Sequence, residues 1–366
     1  MDLKQKPSLY GLSLEELRKI VISHALPKYR ADQLAQWLYQ KHAASFEETA
    51  NLSGEFREKL KEDHELFTLQ LVEARESSDH ESRKFLYKTR DSQLIESVLI
   101  VQKDRYTVCV STQIGCKIGC TFCASGKGKF GRNLTAGEIV EQVAWIEKTL
   151  KKEAKEKGVT NIVFMGMGEP LDNFDATMKS LEILQAPWGF GVGARRITVS
   201  TSGITPRIEE FVKRSGGRVR LSVSLHSSDE ARRTELVPIN KKYSLKELKE
   251  TLGRVHNTLK RDITFEYTVL AGVNDSVKEA EGVARMARPL HAKVNLIPYN
   301  PISEADYKRP SPEQVDQFRA ILEKNGIQVT VRQTAGRDIN AACGQLARLK
   351  TQDTGHKTQE KADHKL

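Results

Sequence analysis

Cys116-Lys117-Ile118-Gly119-Cys120-Thr121-Phe122-Cys123 places three thiols within one short loop, directly after a β-branched run that reads as a strand. Iron–sulfur cubanes ordinarily take four cysteine ligands. Three, with no fourth cysteine in the loop, imply one iron with an open position at which a substrate or cosubstrate binds directly. The competing reading is structural zinc, which favours paired C-x2-C knuckles and four closed ligands. A C-x3-C-x2-C run with Phe122 before its last cysteine fits zinc poorly.

Outward from this loop, short β-branched runs alternate with helical segments. Strands are expected over 106–112, 161–165, 196–201, 219–225, 263–270 and 293–298, with a terminal strand over 328–332 after Asn325-Gly326. Helix starts are legible between them: Thr135 with Glu138, Ser244 with Glu247, and Ser311 followed by Pro312 and Gln314. Each puts a side-chain oxygen where the first helical N–H groups lack partners. Repeated strand-then-helix units predict an α/β fold with a parallel sheet, and a partial (β/α)6 TIM-like barrel is its natural closure.

The pattern within the strands sharpens this expectation. Strands buried on both sides read as continuous apolar runs. Here one face is small and polar: Thr107, Cys109 and Ser111; Thr198, Ser200 and Ser202; Ser222, Ser224 and His226; Thr264, Glu266 and Thr268. The other carries Val108, Val110, Ile197, Val199, Leu221, Val223, Leu225, Phe265 and Val269. A barrel with a polar lumen and helices outside explains both faces. An antiparallel sheet with one solvated face would alternate in the same way, but the intervening helices oppose it.

Four segments are expected: a helical N-terminal accessory domain over 1–75, with Ser13 and Glu16 forming a capping box and Leu34, Trp37 and Leu38 at helical spacing; a strand-rich connector over 76–104, with strands over 84–89 and 93–102; the core barrel with its C-terminal loop over 105–348; and a disordered, dispensable tail over 349–366. Trp37 is read as core. The Lys/Glu run over 148–157 is read as a solvated helix end.

The chain has 366 residues, enough for a sizeable core, and a net charge of +10, which suits a polyanionic partner such as nucleic acid. Its five cysteines show no pairing pattern of a secreted framework. The N-terminus lacks an apolar signal core, and no stretch reaches the roughly 18 apolar residues of a membrane span. A cytoplasmic protein without membrane contact, working as a monomer, is expected.

Active sites of parallel barrels sit at the C-terminal strand ends. Reading those ends in order gives the cysteine loop, Gly166-Met167-Gly168-Glu169-Pro170, Ser200-Thr201-Ser202-Gly203, Ser224-Leu225-His226, Asn274-Asp275 and Asn300. Gly168 allows close backbone approach, and Glu169 offers a carboxylate to an ammonium group. Two further thiols flank this row: Cys109 on the lumen face of the first strand, and Cys343 among the small residues Ala341, Ala342 and Gly344. A buried cysteine is commonly inert packing. A pair bracketing one site suggests covalent sulfur chemistry.

Together, Cys109-Val110-Ser111-Thr112-Gln113-Ile114-Gly115-Cys116, Cys120-Thr121-Phe122-Cys123-Ala124-Ser125-Gly126, Gly166-Met167-Gly168-Glu169-Pro170-Leu171, Ser224-Leu225-His226, Pro238-Ile239-Asn240-Lys241-Lys242, Gly272-Val273-Asn274-Asp275 and Ala341-Ala342-Cys343-Gly344-Gln345-Leu346 resemble the RlmN/Cfr family of radical S-adenosylmethionine (AdoMet, SAM) RNA adenine methyltransferases. The resemblance runs from the N-terminal helices to Leu346. It implies the radical SAM barrel, a [4Fe-4S] cluster on Cys116, Cys120 and Cys123, and AdoMet contacts from Gly168, Glu169, Ser200, Ser224, Leu225, His226 and Asn300.

The resemblance also implies a route. One AdoMet methylates Cys343; a second is cleaved to a radical that takes hydrogen from the S-methyl group; the methylene radical adds to adenine. Glu96, within Leu94-Ile95-Glu96-Ser97-Val98-Leu99, is assigned as acceptor of the ring proton, and partial burial is expected to raise its pKa. A structural carboxylate at a sheet edge is the other reading of Glu96. Cys109 then resolves the adduct by a disulfide with Cys343. Of the two branches, RlmN methylates adenine C2 in 23S ribosomal RNA and transfer RNA, and Cfr methylates C8 of the same ribosomal adenine. The run Arg30-Ala31-Asp32-Gln33-Leu34-Ala35-Gln36-Trp37-Leu38-Tyr39 and Pro170 resemble the C2 branch. Partners implied are 23S ribosomal RNA, transfer RNA and a flavodoxin-type or other electron donor. Ala335-Gly336-Arg337-Asp338-Ile339-Asn340 departs from the family's more acidic Gly-Asp-Asp-Ile-Asp, which touches the contacts of the loop and not its cysteine. A radical AdoMet enzyme acting on a metabolite would have no use for Cys109 and Cys343, and a zinc-stabilised RNA-binding module would share only the charge.

Overall fold

A computed structural model describes residues 6–153, 157–333 and 335–346. The segment 349–366, expected to be a disordered tail, lies outside the described residues, as does part of the run over 148–157.

The N-terminal helices are α1 (Leu14–Ser23), α2 (Tyr29–Ala35), which continues as a π-helical turn over Gln36–Gln40, and α3 (Gly54–Asp63). Four antiparallel strands follow: β1 (Gln70–Glu76), β2 (Ser82–Lys88), β3 (Leu94–Gln102) and β4 (Arg105–Cys109). From β4 the sheet turns parallel. The short helix α4 (Ala124–Lys127) and α5 (Ala136–Lys152) lead to β5 (Asn161–Phe164), α6 (Phe174–Gln185), β6 (Ile197–Thr201), α7 (Thr205–Ser215) and β7 (Arg220–Ser224). Helices α8 (Glu230–Leu236) and α9 (Leu245–Val255), strand β8 (Thr264–Val269), α10 (Val277–Ala287), β9 (Lys293–Pro298), α11 (Pro312–Lys324) and β10 (Val329–Val331) complete it.

All ten strands form one open sheet in sequence order, with β4 to β10 parallel. The connector is therefore the antiparallel wing of the same sheet. Its outermost strand, β1, falls before residue 76 and is almost wholly exposed, so it lacks the apolar alternation that would reveal a strand in sequence.

The expected capping boxes form: Ser13 with Glu16, Thr135 with Glu138 and Ser311 with Gln314 exchange side-chain and backbone hydrogen bonds, and Ser244 accepts from the Glu247 N–H. Each such cap is worth about 1 kcal/mol. Val108, Val110, Ile197, Val199, Leu221, Val223, Leu225, Phe265 and Val269 are all buried in the layer beneath the helices. The polar faces turn the other way and line the lumen. Trp37 is not core: it is half-buried, its Nε1 donates to Asn51 Oδ1, and Lys41 Nζ stands 3.8 Å from the ring centre. Leu38 and Tyr39 fill the core instead, because the π turn changes which side chains face inward.

Candidate active site

The polar lumen encloses a cavity of about 590 Å³. Thr107, Cys109, Thr198, Ser222, Thr264 and Glu266 line it from the strands, as the alternation predicts. Cys123, Asn300 and Cys343 close its C-terminal end. Cys116, Cys120, Gly168, Glu169, Ser200, Ser224, Leu225, His226 and Glu96 stand outside its lining, around the rim or behind the wall.

The loop carrying the three cysteines leaves the end of β4 and enters α4. A separate apolar cluster surrounds it, made of Ile118, Phe122, Leu236, Val237, Leu270 and Tyr299. In this dry setting burial pushes the Cys116 thiol up to about 12 and raises Cys120 and Cys123, with neighbouring thiolates adding to the penalty on each. Free thiols there resist ionising, and a bound metal centre supplies the positive charge that makes thiolates stable. Among the described residues no three His, Cys, Asp or Glu donors converge on a single-ion site. A donor set of three thiols in one loop fits an iron–sulfur cluster.

Cys343 is brought to this loop by backbone bonds. Ala124 N–H donates to the Gly344 carbonyl at 2.8 Å, Ser125 Oγ donates to the Leu346 carbonyl at 2.6 Å, and Asn300 Nδ2 donates to the Cys343 carbonyl at 3.2 Å. At its other end the same loop docks on the connector, where Ser78 N–H donates to Asp338 Oδ2 at 2.8 Å. Asp338 is the acid retained in the divergent Gly-Arg-Asp-Ile-Asn run, and this bond is its use here.

The disulfide implied between Cys109 and Cys343 is not formed: all five cysteines are free thiols. Burial, with Cys343 adding to it, pushes the Cys109 thiol up to about 12, so it is held protonated, while the Cys343 backbone is tied to the cysteine loop and not to β4.

The expected AdoMet residues occupy the strand ends with their polar groups largely engaged. Glu169, 4% exposed, accepts from Ser202 N–H and Ser202 Oγ at 2.7 Å each and from Leu171 N–H at 3.0 Å. Burial raises its pKa and these donors oppose the rise. Gly168 has φ +99°, and a Cβ there would meet the Gln113 Cβ at 2.5 Å, which excludes a side chain. Leu225 is fully buried, its N–H donating to the Glu266 carbonyl and its own carbonyl accepting from Arg233 Nε. Burial pushes the His226 ring down to about 3, and its Nδ1 accepts the Thr268 N–H at 2.9 Å, leaving the proton of a neutral ring on Nε2. The ring sits edge-on to Phe122 at 4.7 Å, so His226 braces the cysteine loop. Asn300 spends its carbonyl on Arg309 Nη1 and its amide on the Cys343 backbone.

Glu96 lies on β3 with 2% of its side chain exposed, and Lys84 Nζ stands 2.8 Å from its Oε1. The burial expected for it is present and nearly complete; the compensating cation was not foreseen.

Two arginines also escape sequence reading. Arg233 is fully buried on α8 and donates to the carbonyls of Ser202, Ser224 and Leu225, sewing the ends of β6 and β7 together. Burial lowers it to about 10, and its charge faces Cys120. Arg332 follows β10 and lines the cavity with Cys109, Cys343 and Glu266, and its pKa is raised, chiefly through its interaction with Cys343. Arg233 sits in a charged, polar stretch that reads as solvated surface, and Arg332 ends the terminal strand expected over 328–332 with nothing local to mark its burial.

Residues 110–283 match the family model of the radical SAM superfamily, and residues 8–66 match that of the ribosomal RNA large subunit methyltransferase N-terminal domain. The chain is 43% identical over 341 residues to a probable dual-specificity RNA methyltransferase RlmN of Staphylococcus carnosus, covering 93% of each. It is 45% identical to the protein of that name in Listeria welshimeri, covering 93% of this chain and 94% of the relative. The chain belongs to the RlmN family of radical SAM RNA methyltransferases. A crystal structure of a radical SAM methyltransferase from Sphaerobacter thermophilus superposes with a TM-score of 0.90 at 44% identity, over 93% of this chain and 99% of that one. The radical SAM barrel with a helical N-terminal region is thus its fold.

Proposed function

We propose that this RlmN-family enzyme methylates C2 of a specific adenine in 23S ribosomal RNA and adenine 37 of transfer RNAs, by way of a methyl group carried on Cys343. The observation that carries this reading is the convergence of Cys343, Cys109 and Cys123 on one cavity, with the Cys343 loop hydrogen-bonded to the cysteine loop. Adenine C2 lies between two ring nitrogens, is electron-poor and has no acidic proton, so it is not a nucleophile toward a polar methyl donor.

Cys116, Cys120 and Cys123 would hold a [4Fe-4S] cluster, and Gly168, Glu169, Ser200, Ser224, Leu225, His226 and Asn300 the AdoMet beside it. Bound there, the pair would supply the one-electron chemistry, hydrogen-atom abstraction and removal of one electron from the adduct. Cys343 accepts a methyl group, loses one of its hydrogens, and bonds through the remaining methylene carbon to the adenine. Glu96 removes the ring proton. Cys109 then attacks the Cys343 sulfur to form an S–S bond, and the C–S bonding pair leaves with the product carbon, which takes up a proton to become the methyl group. The electrons come from a flavodoxin-type or similar donor in the reducing cytosol.

RNA docking falls to the helical unit over residues 1–75, supported by the match of residues 8–66 to the ribosomal RNA large subunit methyltransferase N-terminal domain; the unit itself is nearly uncharged, and the net +10 of the chain lies in the residues that follow it. Dual specificity in the names of the Staphylococcus and Listeria relatives supports two classes of RNA substrate and favours C2 over C8. Nucleosides from a deletion strain test the assignment: 2-methyladenosine should vanish from ribosomal and transfer RNA and return with the gene. Loss of 8-methyladenosine instead would move the enzyme to the Cfr branch.

A further inference from the structure

Lys84 and Glu96 face the lumen side of the antiparallel wing. Leu86 is the register partner of Glu96 and Val98 that of Lys84, so the two charged side chains are diagonal neighbours on one face. Their exposures are 15% and 2%, and the ammonium and carboxylate meet at 2.8 Å. Lys84 Nζ also reaches the Asn340 carbonyl at 3.5 Å, on the loop that carries Cys343.

A carboxylate buried to this degree without a cation takes up a proton and becomes neutral. A neutral carboxylic acid cannot accept the ring proton. The other titratable groups on this side are Lys88 on the same strand, Glu73 and Arg75 opposite Leu86 and Lys84 on β1, Cys109 opposite Val98 on β4, Arg332 after β10, and Arg337, Asp338 and Cys343 on the loop. Arg75 is turned to Glu73 at 2.8 Å, and Asp338 is spent on Ser78.

We infer that Lys84 is a positioning residue for the proton-removal step: its ammonium keeps Glu96 anionic and ties that carboxylate to the Cys343 loop. This rests on the role of Glu96 proposed above. The proton passes from the ring carbon to a Glu96 oxygen, the C–H electron pair stays with the ring, and the resulting acid remains hydrogen-bonded to Lys84.

Infrared difference spectroscopy on protein without cluster or AdoMet tests the charge state. Lys84→Met minus Lys84→Met/Glu96→Gln should show a protonated carboxyl band at neutral pH, where wild type minus Glu96→Gln and Lys84→Arg minus Lys84→Arg/Glu96→Gln show carboxylate. A carboxylate band in Lys84→Met overturns the inference, and Lys84→Gln serves if the methionine variant does not fold. In the loaded enzyme, Lys84→Met should retain RNA covalently bound at pH about 7 and release it roughly tenfold faster at pH about 9. Release at the wild-type rate and independent of pH overturns it. Glu96→Gln separates the two readings: it should retain bound RNA at every pH. If it carries none while Cys109→Ala does, Glu96 is not the base, and the role of Lys84 falls with it whatever the spectra show.

Discussion

Three thiols in one loop make single-residue tests decisive. Cys116→Ala should purify with its iron content sharply reduced and should fail to cleave AdoMet reductively, measured by iron and sulfide analysis and by product chromatography under anaerobic conditions. Full cleavage by a cluster-free variant would overturn the ligand assignment. Cys343 and Cys109 should fail differently because the roles proposed for them come at different stages. Cys343→Ala removes the proposed methyl carrier, so no adduct should form. Cys109→Ala leaves the carrier intact but removes the group that frees the product, so this variant should carry RNA through a methylene bridge at Cys343, seen as a nuclease-sensitive mass shift. Both variants emerging without RNA, with Cys343 unmethylated in Cys109→Ala, would end the covalent reading. The protonated state of Cys109 adds a pH dependence with a definite sign. Its thiol is held up to about 12 by burial, so resolution should quicken as pH rises through the neutral range.

At the scale of an element, the Cys343 loop is held at both ends: by Asp338 on the connector and by Ala124 and Ser125 on the cysteine loop. Gly336 lies two residues before Asp338, at φ +71°, and a Cβ there would stand 2.9 Å from the Ser82 Cβ and 3.0 Å from the Ala341 Cβ. Gly336→Val should therefore lift the loop from β2 without touching a metal ligand. The expected outcome is wild-type iron content with methylation of Cys343 lost or cut at least about tenfold, read by peptide mass spectrometry. Normal methylation would show that docking on the connector does not set the loop's position.

At the scale of the whole molecule, the N-terminal unit is clamped to the barrel through one buried acid. Glu141 on α5 accepts from Ser8 Oγ at 2.9 Å, from Thr68 Oγ at 2.9 Å and from the N–H groups of Thr68 and Leu69 at 2.7 Å each. Burial nevertheless lifts it from 4.5 to about 7. The folded protein thus holds a proton here that the unfolded chain has released, and stability falls as pH rises between those two values, then levels off. Glu141→Gln should flatten that stretch of the stability profile, a change of roughly 1–3 kcal/mol in urea unfolding. An unchanged slope would show that Glu141 is already ionised in the folded state.

Strand and helix order were legible in sequence because local chemistry specifies them. The apolar alternation of Val108, Val199 and Leu221 marks strands, and Thr135, Ser244 and Ser311 mark helix starts, all through contacts a few residues long. The cysteine loop was legible for the same reason, its three donors being neighbours in the chain. The family resemblance brought in Cys109, Cys343 and Glu96 from farther away. What only tertiary structure decided is where charge lies once water is removed: Arg233 beneath Cys120, Arg332 in the lumen, Lys84 against Glu96, and a neutral His226 bracing Phe122. Exposure in a single sequence cannot be told from burial with a distant partner, because a lysine looks the same in either setting until the sheet brings its carboxylate alongside.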